Sequence, residues 1–164
     1  MHRHTSTRRR GNRQEASGTE LAVVIGSTPD TASAEAAGRS IFGYTVFNDV
    51  TSLSILATGD IFLSKSVDGF SAFGLWIRTD VSDQALRDGL AIVSRVNGVE
   101  AQRGTTAVYK WSPAEVVFAI GKFVALFPGD VISLGTPPPG AEVHVGDAVE
   151  CEVEEIRVLA NHIA

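Results

Sequence analysis

Cysteine is nearly missing from this chain. Cys151 is the only one in 164 residues, so no intrachain disulfide forms and no thiolate cluster holds zinc or iron–sulfur. Its alternation with Val149 and Val153 marks it as a strand residue packed in a core. Long apolar runs are missing too. No stretch approaches the roughly 18 apolar residues of a membrane span, and the N-terminus has no apolar h-region, which argues against a secretory signal and for a cytoplasmic protein. Acid is absent from the first 14 residues, where Arg3, Arg8, Arg9, Arg10 and Arg13 fall. The remaining nine Lys and Arg face all 19 Asp and Glu, so the body from Glu15 onward carries −10 although the whole chain carries −5. A body this acidic repels nucleic acid and favours cations. Residues 1–18 form a basic leader with no apolar periodicity, as expected of a disordered tail. Its composition also suits contact with RNA, an anionic lipid or an organelle importer.

What is present is enough for one compact domain over residues 19–164. With 44% apolar residues, a chain of this length buries roughly two-thirds of its unfolded surface. The β-branched run 20–26 (ELAVVIG) reads as a buried strand closed by glycine. Asp30 or Thr31 then caps an alanine-rich helix over 33–39. A second strand over 41–50 delivers Asn48 and Asp49 to its end. The irregular stretch 51–74 carries Lys65, Asp68 and Gly69 between strand signals, and structured loops of this length tend to be functional. A strand resumes at 75–78. Asn97-Gly98, between strands 90–96 and 99–102, is a type I′ hairpin signal because both residues tolerate positive φ. Ser112-Pro113-Ala114-Glu115 combines an N-cap, a first-turn proline and a capping-box glutamate, predicting a helix to about Ala125. Pro128-Gly129-Asp130 stops it, and strands over 131–134, 148–153 and 156–163 follow. Many strands with two short helices outside βαβ alternation give an α+β class, built on a mixed sheet that is rolled or barrel-like.

In chain order the segments ELAVVIG, GYTVFNDV, KSVDGF, NG, SPAEVV, PGDVISLGTPPPG and VGDAVECEVEEI resemble the C-terminal domain of fumarylacetoacetate hydrolases, over about residues 19–163. The resemblance implies cleavage, decarboxylation, hydration or isomerisation of a small 2-oxo or 1,3-diketo acid of the acylpyruvate kind. It also implies a homodimer and a Mg²⁺ or Mn²⁺ cofactor held by carboxylates. A hard divalent ion chelated by adjacent carbonyl and carboxylate oxygens stabilises the enolate that forms as a C–C bond breaks or a proton moves.

The family's first two metal ligands form a Glu-x-Glu pair, whose spacing puts both carboxylates on one face of a strand. Glu20 matches the second, while Gly18 stands where the first belongs. Glu15 lies an odd number of residues from Glu20, so only a bulge or loop brings it to the same face. Asp49 matches the third carboxylate. Leu53 and Leu56 replace the Arg and Gln with which relatives contact substrate. Lys65 matches the lysine beside the substrate, a candidate catalytic and substrate-binding cation. Thr136 matches the threonine whose hydroxyl and amide bind the substrate's carboxylate.

No general base is identifiable. Relatives take one from a His and Glu lid upstream of the Glu20 strand, and this chain is expected to begin after that lid. His144 and His162 read as partly exposed sheet residues. Trp76 and Trp111 read as core or dimer contacts. The opposing expectation is a catalytically degenerate or truncated homologue with a structural or partner-binding role, favoured by Gly18, Leu53, Leu56 and the missing lid.

Overall fold

The computed structural model describes Thr5, Ser6 and residues 14–164; the expectations for the remainder of the leader fall outside the described residues. Among the described residues ten strands form two sheets of five. One sheet contains, in spatial order, β1 (Thr5–Ser6), β10 (Arg157–Ile163), β9 (Ala148–Val153), β5 (Ala91–Val96) and β6 (Val99–Thr105). The other runs β4 (Ser71–Phe73), β3 (Ile41–Ser52), β2 (Glu15–Ile25) and β7 (Val131–Ser133), and β8 (Ala141–Val143) also pairs with β2. Every pairing is antiparallel except the short β1–β10 contact. The architecture is α+β as expected, but the sheets lie face to face and do not close into a barrel.

Period-2 alternation builds the core between them. Leu21, Val23 and Ile25 of β2 and Tyr44 and Val46 of β3 point at Ile92, Val149, Cys151, Val153 and Leu159 of the other sheet. Each fully buried aliphatic side chain contributes about 1.5–3 kcal/mol over leaving it in water. Polar residues share this interior at one end, where Ser17 Oγ donates to Asn48 Oδ1 at 2.7 Å and Asn48 Nδ2 to Asn161 Oδ1 at 3.3 Å.

Several boundaries differ from those expected. β2 begins at Glu15, so residues 15–18 belong to the folded sheet and not to the leader. The first helix, α1 (Ala34–Gly38), is capped by Ser33, whose hydroxyl accepts from Ala36 N, while Asp30 accepts from Ala32 N in the preceding turn. Three single-turn helices were not foreseen: α2 (Leu53–Leu56), α3 (Ile61–Lys65) and α4 (Asp83–Asp88). Segments this short show no 3.6-residue periodicity, although Asp60 and Ser82 cap the last two. The capping-box helix α5 (Pro113–Gly121) forms as expected but ends four residues early. Residues 75–78 contribute only the isolated bridge between Tyr44 and Arg78. The hairpin forms with Asn97 at φ 51° and Gly98 at φ 80°.

Candidate metal and substrate site

The site lies on the outer face of the β2–β3 pair. Gly18 stands directly opposite Asp49, and Glu20 opposite Phe47. Side chains at 18 and 20 share a face with those at 47, 49 and 51, because opposed residues of an antiparallel pair project to the same side. Glu20 and Asp49 are therefore diagonal neighbours on one surface. Lys65, the last residue of α3, reaches the same surface. Its Nζ forms an ion pair with Asp49 Oδ2 and donates to Thr51 Oγ1 at 2.9 Å.

The other edge of β2 explains why this spot is open to a loop. β7 pairs with Ala22–Val24 and β8 with Glu15–Ser17, leaving residues 18–21 without a strand partner on that side. The loop after β7 supplies the missing hydrogen bonds. Leu134 N donates to Leu21 O at 3.0 Å, and Thr136 Oγ1 donates to Thr19 O at 2.9 Å. Gly135, at φ +98°, turns its N–H onto Glu20 Oε2 at 2.8 Å while its carbonyl accepts from Tyr109 Oη at 2.9 Å. Few residues other than glycine adopt that backbone angle. The loop that carries Thr136 is thus stitched to the strand that carries Glu20.

Glu20 is 4% exposed, and burial is the first cause that raises its pKa above the ordinary carboxylate value. The nearby charge of Asp49 raises it further, against the lowering effects of Gly135 N–H, Ser133 and Lys65. Two carboxylates that repel each other across a shared surface make a locale short of positive charge. Their donor set, hard carboxylate oxygens, suits a divalent ion of the Mg²⁺ or Mn²⁺ type, which can be held by two protein ligands when water completes its shell. Among the described residues no group of three or more His, Cys, Asp or Glu is arranged so that it could hold a metal ion.

Gly18 stands where the resemblance expects a further carboxylate, and its surroundings leave no space for one. A Cβ there would lie 2.9 Å from Thr136 Cγ2 and 3.0 Å from Thr136 Cβ, so the threonine side chain occupies the space a glutamate would enter. Glu15 cannot replace it. β2 keeps its register from Glu15 to Val24, which puts Glu15 on the face toward the other sheet. Leu53 and Leu56 sit on α2, Leu56 partly exposed. His144 lies in an exposed turn near Glu142, and His162 lies on β10 in the other sheet. Trp76 and Trp111 are 57% and 54% exposed, so neither is a core residue. Trp76 stacks instead beneath the Arg157 guanidinium. Cys151 is buried, and burial pushes its thiol up to about 11, an inert core residue as expected.

Two residues of the site had gone unrecognised. Gln102 of β6 crosses from the far sheet to accept from Thr19 N at 3.2 Å and donate to Thr136 Oγ1 at 2.8 Å. Tyr109 anchors the Gly135 carbonyl. The available signal was a lone amide in the strand that leaves the Asn97-Gly98 corner, between Glu100 and Arg103.

Fold and site together define the class: the chain belongs to the fumarylacetoacetate hydrolase family. Residues 2–164 match the family profile described as Fumarylacetoacetate (FAA) hydrolase C-terminal. An uncharacterized protein of Methanocaldococcus jannaschii is 37% identical over 145 residues, 88% of this chain and 60% of that protein. The solved structure of 5-carboxymethyl-2-hydroxymuconate delta-isomerase from Mycobacterium smegmatis superposes with a TM-score of 0.84 at 32% identity, covering 92% of this chain and 59% of that one. Fumarylacetoacetate hydrolase from Exiguobacterium antarcticum gives 0.80 at 29%, covering 92% and 56%. The chain spans rather more than half the length of each.

Proposed function

We propose that this chain is a divalent-metal-dependent hydrolase, lyase or isomerase acting on a small 2-oxo or 1,3-diketo acid of the acylpyruvate kind. Glu20 and Asp49 hold Mg²⁺ or Mn²⁺, and Lys65 and Thr136 hold the substrate. The observation that carries this is convergence: Glu20, Asp49, Lys65 and the Gly135–Thr136 loop meet on one outer face, at the one gap in the β2 edge. The names of the isomerase and hydrolase relatives support the substrate class.

A bound divalent ion would supply a Lewis acid for the developing enolate. The chain's own groups do the rest. The Lys65 ammonium, held between Asp49 and Thr51, neutralises a carboxylate or enolate oxygen brought beside it. The Thr136 hydroxyl already donates its one hydrogen bond to Thr19 O, so its backbone N–H is the group left for a substrate carboxylate. The Gly135 N–H holds one oxygen of the Glu20 carboxylate in place. Asp49→Ala should abolish turnover of acylpyruvates or oxaloacetate while leaving the circular dichroism spectrum and Tm near those of the parent. Turnover retained in that variant would remove the assignment.

A second proposal has its own observation. Thr136 packed into the Gly18 space and the two leucines at 53 and 56 fit a degenerate family member that keeps the fold for pairing with a partner. An in-frame extension upstream of Met1 encoding a lid would count against it. In either case we expect a cytoplasmic homodimer with no nucleic-acid partner. Among the described residues no helix is long and apolar enough to cross a membrane. Phe73 at the end of β4 and Leu75, Trp76 and Ile77 just after it are exposed large apolar residues close in sequence, which supports a subunit contact.

A further inference from the structure

We infer that Gln102 is a positioning residue that sets the Thr136 peptide for ligand capture, a role resting on the substrate reading above. Gln102 is 3% exposed and its carboxamide makes four hydrogen bonds. Oε1 accepts from Thr19 N at 3.2 Å and from Ser94 Oγ at 2.8 Å. Nε2 donates to Thr136 Oγ1 at 2.8 Å and to the Pro137 carbonyl. A backbone N–H only donates and a carbonyl only accepts, so Thr19 and Pro137 fix which end of the amide is which.

That fixed orientation propagates. Because Nε2 donates to it, Thr136 Oγ1 acts as acceptor toward Gln102 and donates its own hydrogen bond to the Thr19 carbonyl. Both committed bonds hold the threonine with its methyl over Gly18, and they remove its hydroxyl proton from any ligand. The Thr136 N–H, which has no partner among the described residues, is thereby held beside the Gly135 N–H that already serves Glu20. None of its four hydrogen bonds goes to Glu20 or Asp49, so Gln102 orders the substrate side of the site and leaves the metal side alone. It also comes from the opposite sheet, so the packing of the two sheets sets the pose of the loop.

The test compares the full chain with Gln102→Glu and Gln102→Met. The glutamate is isosteric, keeps both acceptor contacts and deletes both donations; the methionine deletes all four without adding charge. Mn²⁺ binding is read by electron paramagnetic resonance, and oxalate binding to the Mn²⁺-loaded protein by calorimetry. Both variants should bind Mn²⁺ within about twofold of the parent and oxalate on the order of tenfold more weakly, the effect of one misplaced buried hydrogen-bonding group. Oxalate affinity unchanged in a folded variant, with only Tm lowered, would make Gln102 a purely structural residue and overturn the inference. If the variants do not fold, ¹H–¹⁵N spectra of the parent decide. Oxalate should shift the Thr136 amide resonance while the Gln102 carboxamide protons resist exchange, and an unmoved Thr136 amide overturns the inference. A parent chain that binds neither Mn²⁺ nor oxalate overturns the functional proposal itself, a result visible before any variant is made.

Discussion

At the scale of single residues, Glu20 shows how a functional group costs a fold something. Its carboxyl pKa is raised, chiefly by burial and then by Asp49, so the folded chain binds that proton more tightly than the unfolded chain does. The sign follows: relative to an ordinary glutamate the metal-free fold loses stability as pH rises from the unfolded pKa through the raised one. Glu20→Gln keeps an acceptor for Gly135 N–H and removes the charge, so it should raise Tm of the metal-free protein at pH 7 and narrow the Tm difference between pH 5 and pH 7. A lowered Tm at pH 7 would contradict this. The same variant should lose Mn²⁺. Gly18 carries the converse prediction. Gly18→Glu restores a third carboxylate, and Mn²⁺ affinity should rise about tenfold or more with the added ligand charge. The new Cβ must displace Thr136, however, so oxalate affinity should fall in the same variant. Tighter metal with undiminished oxalate binding would show that Thr136 does not need its present position.

At the scale of elements, the governing feature is the gap in the edge of β2 between β7 and β8. It places a loop where a strand would otherwise lie, and only a loop offers free N–H groups and a glycine turn on that side of Glu20. The polar interior beneath the gap holds β2, β3 and β10 together through Asn48. Asn48→Ala should strand Ser17 and Asn161 and cost about 1–3 kcal/mol, or roughly 2–4 °C of Tm per kcal/mol, read by thermal melting. Much of this level was legible in the sequence. The β-branched runs, the Asn97-Gly98 corner and the Ser112 capping box each act through local chemistry, and each appeared where the pattern put it. Glu20 and Asp49 were singled out by the family resemblance, and their sharing of one face is set by the β2–β3 register, which puts Gly18 opposite Asp49. The single-turn helices were not legible, since four to six residues complete no amphipathic pattern. Gln102 was not legible either, because its role depends on which strands of two different sheets come to face one another. Thr136 in the Gly18 space is likewise a tertiary event, and from the sequence Gly18 registers only as a missing ligand.

The whole molecule combines an acidic body with an apolar edge. Phe73 at the end of β4 and Leu75, Trp76 and Ile77 in the segment that follows it are exposed, and α3, which delivers Lys65, exposes Phe62 at 81%. If these residues form the homodimer contact, Ile77→Glu should convert a dimer to a monomer in light scattering without changing Mn²⁺ stoichiometry per chain. A parent chain that is monomeric at tens of micromolar would remove that expectation. The central claim is that two carboxylates on one strand pair, with Lys65 beside them, make a working cation site despite Gly18. It is tested most directly by titrating Mn²⁺ into the full chain and into Asp49→Ala. One ion per chain, lost in the variant and weakening as pH falls toward the raised Glu20 pKa, is the predicted result. No binding at millimolar Mn²⁺, or equal binding in Asp49→Ala, would contradict it and leave a fold that has kept its scaffold and given up its metal.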